Sequence, residues 1–524
     1  MIAARSHTRR ALLALTLFPT LSALADWPQW RGPTRGGVST DTTPIADHFA
    51  SDDPQPLWTS DFIPSDHYGG HGSPIVAGER VFLSVVWHDR VPSEQREIDT
   101  EVMQQVNYRG TSPELTTKLE EARLNLSPRL RGAKLDAWID EWVKTNMSEK
   151  DQLALGSWAA SRFRAGATAF PLDELAKVAK RQDKPFANAD ALRAWMAEEN
   201  LSEKLQEKLL SAIPNTIKVA KDTLVCLDLA TGKELWKFEA EGKPTGRKSS
   251  STAAVIDGRV YAVGSTHLYA VNAETGELLW KTPLPGNGPA ASPLVVDDTV
   301  YVAAGVAMAF DAATGTQRWK QDSARGDTAS PQWWQPESGD PVLLFTGSKD
   351  IYGLQPSTGK VLWQMPGGGQ STPVTSADWM VLYSSSGELG LAACRHQPDK
   401  APEVAWSDFW VARRYSGSPI IHDGCVYLTC GNKHQCLDLA TGTLHWSETV
   451  NSTITSPILA DGKLLVFENN GSHLRIIQAD PAGYQQIARL KVSGMGCTSP
   501  ALSNGRLIVR QKEALACFDL RPQP

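Results

Sequence analysis

The chain has 524 residues, 41% of them hydrophobic, and a formal net charge of −6. That mild acidity argues against nucleic acid as a partner, because such partners select a basic face. No apolar run beyond the N-terminus reaches the length of a membrane span, and the length suits several domains or one large ring.

Residues 1–25 are laid out as a secretory signal peptide. Arg5, Arg9 and Arg10 form the charged start, Ala11 to Phe18 a short apolar core, and Ala23-Leu24-Ala25 a small-x-small cleavage site. Thr8-Arg9-Arg10-Ala11-Leu12-Leu13 also resembles a twin-arginine signal, so the export route stays open between the two. A periplasmic or secreted chain starting at Asp26 is expected. No Cys follows the cleavage site, so no lipid anchor is expected. Residues 26–55 form an N-terminal extension. Its Trp27-Pro28-Gln29-Trp30-Arg31-Gly32-Pro33 is expected to staple the chain start to the body through its two Trp.

Strand patterning begins at Pro56-Leu57-Trp58-Thr59-Ser60 and stops after Trp87. Helical runs follow at 113–124, 134–146, 149–165, 172–181, 189–199 and 202–212, with apolar residues three and four apart, as in Leu135, Trp138, Ile139 and Trp142. Ser148 and Ser202 are plausible helix starts. Residues 88–222 therefore form an α-helical insertion.

A repeat occupies the rest. Asp228-Leu-Ala-Thr-Gly-Lys-Glu-Leu-Trp236 returns at Asn272–Trp280, Asp311–Trp319, Gln355–Trp363 and Asp438–Trp446, a period of about forty residues. The Asp or Asn opens a tight turn and the Gly supplies positive φ. The Trp is a plate able to fill the gap between sheets. Trp58, Trp236, Trp280, Trp319, Trp363, Trp406 and Trp446 are the expected packing residues. Eight openings of Ser-Pro type precede the strands, at 73, 251, 292, 330, 372, 418, 456 and 499. Each unit supplies about four strands. Only three strands follow position 499, so the orphan strand at 56–60 is expected to complete the last unit. The expected fold is all-β: an eight-bladed β-propeller over 56–87 and 223–524, closed by the N-terminal strand, with the helical insertion in blade one. Two copies are worn: the fifth has a long turn at 394–403, and the seventh has Ala488-Arg489-Leu490 where a Trp is expected.

Seven Cys is an odd count. Cys226, Cys436 and Cys517 share a repeat slot that holds Ala270, Ala309 and Gly353 elsewhere, so that slot wants a small buried residue. Cys430 and Cys436 flank a loop where a bridge is conceivable in an oxidising compartment.

The Asp-x-x-Thr-Gly-x-x-x-Trp repeat resembles that of the pyrroloquinoline-quinone (PQQ)-type propellers, a group with quinoprotein alcohol dehydrogenases and the outer-membrane assembly factor BamB. The opening Trp27–Pro33 is similar to that of PQQ-like repeat proteins common in Planctomycetes and related bacteria. The resemblance implies an eight-bladed ring and leaves function open.

Loops entering the first strand of each blade share a face with the insertion, and on a rigid scaffold such loops carry sites. They hold His67, Tyr68 and His71; Arg247 and Lys248; Asn287; Arg325 and Asp327; Gln370; and Arg413, Arg414 and Tyr415. His88, His267, His434 and His473 are placed in loops of the same face. The basic residues would favour an anionic ligand. The insertion is expected to stand over the funnel mouth as a cap or docking arm. Quinoprotein dehydrogenases hold their quinone against a disulfide of adjacent Cys and bind Ca²⁺ through carboxylates; here no two Cys are adjacent and acidic residues are scarce in the loops. Cys430-x-x-x-His434-x-Cys436 offers soft ligands, but Cys436 lies in the small-residue slot, so no metal site is assigned. The reading is an exported, monomeric, non-catalytic binding propeller for a protein or extracellular polymer, with no cofactor expected. The alternative is a quinone- or metal-dependent oxidoreductase using PQQ with calcium.

Overall fold

The fold is built on the repeat turn. Asp228 Oδ1 accepts from Thr231 N at 2.8 Å and from its hydroxyl at 2.6 Å, and Gly232 follows at φ 71°. Asp311 with Thr314 and Asp438 with Thr441 repeat this. The carboxylate replaces backbone partners that the tight turn leaves unmet.

A computed structural model describes residues 26–523 apart from 128, 246–248, 286–289, 327, 385–388, 409–416 and 454–455. The signal-peptide reading falls outside these. The chain forms eight antiparallel sheets, seven of them four-stranded. Numbered along the chain, their first strands are Ile75–Ala77, Ala254–Ile256, Leu294–Val296, Gln332–Trp334, Val374–Ser376, Ile420–His422, Ile458–Ala460 and Ala501–Ser503. The sixth sheet contains one long strand, Cys425–Asp438, with Gly431 at φ 62°. Just beyond its two ends Leu439 N donates to Gly424 O at 2.8 Å, whereas a straight strand would hold these residues about 50 Å apart. The strand therefore doubles back, and this sheet has the layout of the others. The eighth sheet takes its fourth strand from the other end of the chain: Trp58–Thr59 pairs with Leu515–Asp519.

The openings have a shared role. Ser73 N donates to Thr252 Oγ1 at 3.0 Å, Thr252 N to Ser292 Oγ at 3.0 Å, and Ser292 N to Ser330 Oγ at 3.0 Å. The series continues to Thr372, Ser418 and Ser456 at 2.9–3.1 Å, and Ser499 N donates to Ser73 Oγ at 2.9 Å. A short hydroxyl is required at each opening because it receives the neighbour's N–H. In the second repeat that residue is Thr252, one position beyond the expected Ser251.

The repeat Trp joins each sheet to the next. Trp58 Nε1 donates to Leu229 O at 3.0 Å, Trp280 to Ala312 O at 3.0 Å and Trp446 to Asp480 O at 2.8 Å. Trp236, Trp319 and Trp406 bond likewise to Ala273, Pro356 and Leu439. Trp363 is buried, paired across its strand with Gly353. Opposite the other repeat Trp lie Cys517, Cys226, Ala270, Ala309, Ala393 and Cys436, so the small slot exists to admit the indole. In the seventh sheet the sizes are exchanged: Ile476 faces Ala488. Volume is kept while the Trp is lost.

The expected limits of the insertion shift. Arg80–Pro92 pairs with Thr216–Asp228 over every position, from Arg80↔Asp228 to Pro92↔Thr216. Strand structure thus runs past Trp87 and begins before Thr223. The outer part of this arm has a short alternation, Ile217-Lys218-Val219, with Val91 paired to Ile217. Among the described residues seven α-helices lie between its ends: Thr100–Gln105 (α1), Pro113–Leu124 (α2), Ala133–Asn146 (α3), Glu149–Ala165 (α4), Leu172–Lys180 (α5), Ala189–Glu198 (α6) and Glu203–Ala212 (α7). The short α1 is absent from the sequence reading. Ser148 Oγ caps α4 through Asp151 N at 3.1 Å. Ser202 makes no cap bond; its N and Oγ donate to Glu174. The helices share one apolar core, drawn from residues 98–213 alone.

Candidate functional site

The N-terminal extension runs across the first strands. Trp27 pairs with Val76, Pro28 O accepts from Val255 N at 2.7 Å, and Gly37 O accepts from Leu459 N at 2.7 Å. Trp27 is buried and staples the segment, as expected. Trp30 does something else: it lines a cavity of about 200 Å³ together with Ser292, Ser330, Thr372, Ser456 and Ser499 from the openings. Ser250, Ala290, Thr328, Gln370 and Cys497, each two residues upstream of an opening, form a second tier. Contributions from six sheets place this well on the axis that the sheets surround. Arg31 and Arg35 flank Trp30, their guanidinium carbons 5.7 and 5.5 Å from its ring. Arg31 donates to Pro419 O at 2.6 Å in sheet six, and Arg35 to Pro293 O at 2.7 Å in sheet three.

Of the loop residues expected to converge, Gln370 reaches the well. His71 is buried, with Nε2 3.3 Å from Asp66 Oδ1 and Nδ1 3.2 Å from Gly496 O, so it braces two loops. His67 offers its carbonyl to His88 Nδ1. Tyr68 is exposed, its ring 5.3 Å from Lys218 Nζ, and it faces α1 across a shallow groove. Arg325 is exposed and folds back to Asp322 O at 3.3 Å. Arg247, Lys248, Asn287, Asp327, Arg413, Arg414 and Tyr415 lie outside the described residues. Sequence reasoning missed the opening hydroxyls as wall, Trp30 as floor and the arginine pair. The periodic Ser/Thr was the signal for the wall.

The insertion is rooted at the arm. Arg90 pairs with Asp99 and Glu101 at 2.8 Å each, and Lys218 with Glu101 at 2.7 Å. Among the described residues, its contacts with the ring concentrate at this root and the loop bearing His67 and Tyr68.

Four His placed in loops lie in strands: His267 and His473 each begin one, and His88 and His434 lie inside theirs. His88 Nε2 accepts from Thr245 N at 3.1 Å while Nδ1–H donates to His67 O, fixing a neutral tautomer. Burial is the main force pushing its pKa down to about 4. His434 is fully buried, without a hydrogen-bond partner for either ring nitrogen among the described residues, and burial pushes it down to about 3. Both rings bind a proton more tightly when unfolded, with the ordinary pKa of 6.5. The stability they sustain is whole above pH 6.5 and is lost as pH falls through about 4 for His88 and about 3 for His434. Urea midpoints should fall steadily below pH 6.5, and His434→Phe should make that fall shallower. An unchanged pH slope in the variant would remove His434 from this account.

The bridge raised for Cys430 and Cys436 does not form: both thiols are free, and Cys436 meets Cys425 instead. Burial pushes the thiols of Cys430 and Cys436 up to about 12. That keeps them protonated and unreactive. Among the described residues no three His, Cys, Asp or Glu gather as a metal site. Calcium takes several oxygens including carboxylates, yet the described lining is hydroxyl, amide, thiol and apolar, without a carboxylate. Asp66 is turned to His71.

Repeat, turn and sheet order define a β-propeller with PQQ-like repeats. Residues 220–393 match a PQQ-repeat family model described as outer membrane protein assembly factor BamB. The chain is 29% identical over 226 residues to tetrathionate hydrolase of Acidithiobacillus ferrooxidans, covering 41% of each chain. It is 28% identical over 293 residues to quinohemoprotein alcohol dehydrogenase ADH IIB of Pseudomonas putida, covering 42% of this chain and 40% of that one. The chain thus spans about two fifths of the length of these curated relatives. Among solved structures it is similar to BamB from Moraxella catarrhalis, at 18% identity and a TM-score of 0.46 over 58% of this chain and 90% of that one.

Proposed function

We propose that this chain is an exported eight-bladed propeller, closed by its N-terminal strand, that binds a protein or polymer partner through its funnel face and helical body and works without a bound cofactor. One observation carries the reading. The helical body has its own core and is held out on a two-stranded arm continuous with sheet one, fixed at its root by Arg90, Lys218, Asp99 and Glu101. A separately packed body on a stiff mount suits docking, since sites gather on elements that a rigid scaffold positions. The cycle of opening hydroxyls and the pairing of Trp58 with Cys517 support the closed ring. No helix among the described residues is long and apolar enough to cross a membrane.

Similarity to a quinohemoprotein alcohol dehydrogenase favours a second reading, a PQQ- and calcium-dependent oxidoreductase with its site in the funnel. Titrating PQQ with Ca²⁺ while following the melting temperature separates the two. A ligand of the folded form adds about 2.7 kcal/mol at a hundredfold excess over Kd. The binding reading expects a colourless protein and no shift; a chromophore or a saturable rise would overturn it. Photo-crosslinkers at exposed Lys134 and Glu141 of α3 should then capture the partner, and crosslinks arising only from the outer strands of the ring would count against the helical body.

A further inference from the structure

Trp30, which lines the axial well, lies against two arginines that have no carboxylate partner among the described residues. Arg31 and Arg35 are each 1% exposed. Their described hydrogen bonds go to backbone carbonyls and to Gln29, and none goes to a carboxylate. Nε and Nη1 of Arg31 and Nε of Arg35 are buried with no partner among the described residues. A buried cation is normally paired, because its desolvation is otherwise uncompensated. Here burial pushes both guanidinium groups down to about 9, and for Arg31 the charge of Arg35 adds to the effect.

The wall is complementary. Each ring oxygen in the described series accepts a backbone N–H from the preceding opening. That occupies a lone pair and leaves the hydroxyl proton to donate. No described hydrogen bond has one of these hydroxyls as its donor, and no carboxylate is among the described residues that line the well. The well therefore offers convergent donors over Trp30, with two buried positive charges against that ring, 5.7 and 5.5 Å from its centre.

We propose that the axial well binds a small divalent oxyanion, which takes hydrogen bonds from the opening hydroxyls and whose charge is favoured by Arg31 and Arg35, packed against Trp30. This site is independent of the partner-binding reading.

The test compares sodium sulfate with sodium chloride at matched ionic strength, by calorimetry and melting temperature on the full chain. Sulfate should bind saturably at one site, and a selenate-soaked crystal should show one anomalous peak on the axis beside Ser330 and Thr372. Ala290→Leu, which fills the upper tier without touching ring or floor, should abolish sulfate binding while melting in chloride is kept. Arg35→Gln should weaken sulfate about tenfold, the effect of removing a nearby buried charge that acts through its field rather than by contact. Equal behaviour in the two salts, selenate only at the outer surface, or unchanged binding by the Ala290→Leu variant would each overturn the proposal.

Discussion

Gly315→Val is expected to cost about 2–5 kcal/mol, combining a left-handed backbone penalty with overpacking. Gly315 has φ 71°, and a Cβ there would lie 2.4 Å from the ring of Trp280 and 2.8 Å from Thr282 Oγ1. Neither neighbour is free to withdraw. Trp280 Nε1 is bonded to Ala312 O at 3.0 Å, and Thr282 Oγ1 to Gly315 O at 2.7 Å. The same glycine recurs against Trp58, Trp236, Trp319 and Trp406, at positions 232, 276, 359 and 442. Gly258→Val is the control: its φ is 70°, but nothing lies within 4 Å. Urea denaturation should show the Gly315 variant losing clearly more than the control. Equal losses would reduce this glycine to a turn residue and remove the Trp contact from the account of sheet-to-sheet packing.

Glu468→Ala should destabilise by about 3–5 kcal/mol, the range for removing one partner of a buried ion pair. Glu468 is fully buried at the end of a seventh-sheet strand. Its Oε1 lies 2.5 Å from Arg475 Nε, close but without hydrogen-bond alignment, and its Oε2 lies 3.2 Å from Arg489 Nε. Arg475 is also held by Tyr484 at 2.9 Å. Without the carboxylate, Arg475 keeps its charge in a largely enclosed place, whereas Arg489 can turn to solvent. The double variant Glu468→Ala/Arg475→Met should recover part of the loss. A double variant no more stable than the single one would mean that packing around Glu468, rather than stranded charge, sets the cost.

What could be read from the sequence follows the range of the interactions. The repeat turn is local: Asp, Thr and Gly within five positions specify it, so five copies are visible at once. The opening hydroxyls were visible as punctuation, yet their bonding joins residues about forty positions apart and shows only once the sheets lie side by side. The exchange of Ile476 and Ala488 is legible only after pairing, because neither residue alone resembles the Trp pattern. Arg31 and Arg35 gave no signal, since an arginine in a Gly- and Pro-rich segment ordinarily faces water. The axial well is the extreme case. Its walls come from positions spread between 250 and 499, and its floor from Trp30, whose leading reading from sequence is a staple and whose ligand role is the lesser alternative. Much of the basic funnel rim drawn from sequence lies outside the described residues, whereas the described hydroxyl wall carries no charge.

The arm has a consequence for inheritance. The helical body leaves sheet one at Pro92 and returns at Thr216, which are paired residues about 5 Å apart. Two chain ends at that spacing are those of an ordinary hairpin turn. The ring therefore keeps the same strand register whether a hundred residues or two join them. A lineage can acquire, exchange or discard the body as a single graft, and the ring can remain while what it presents is replaced.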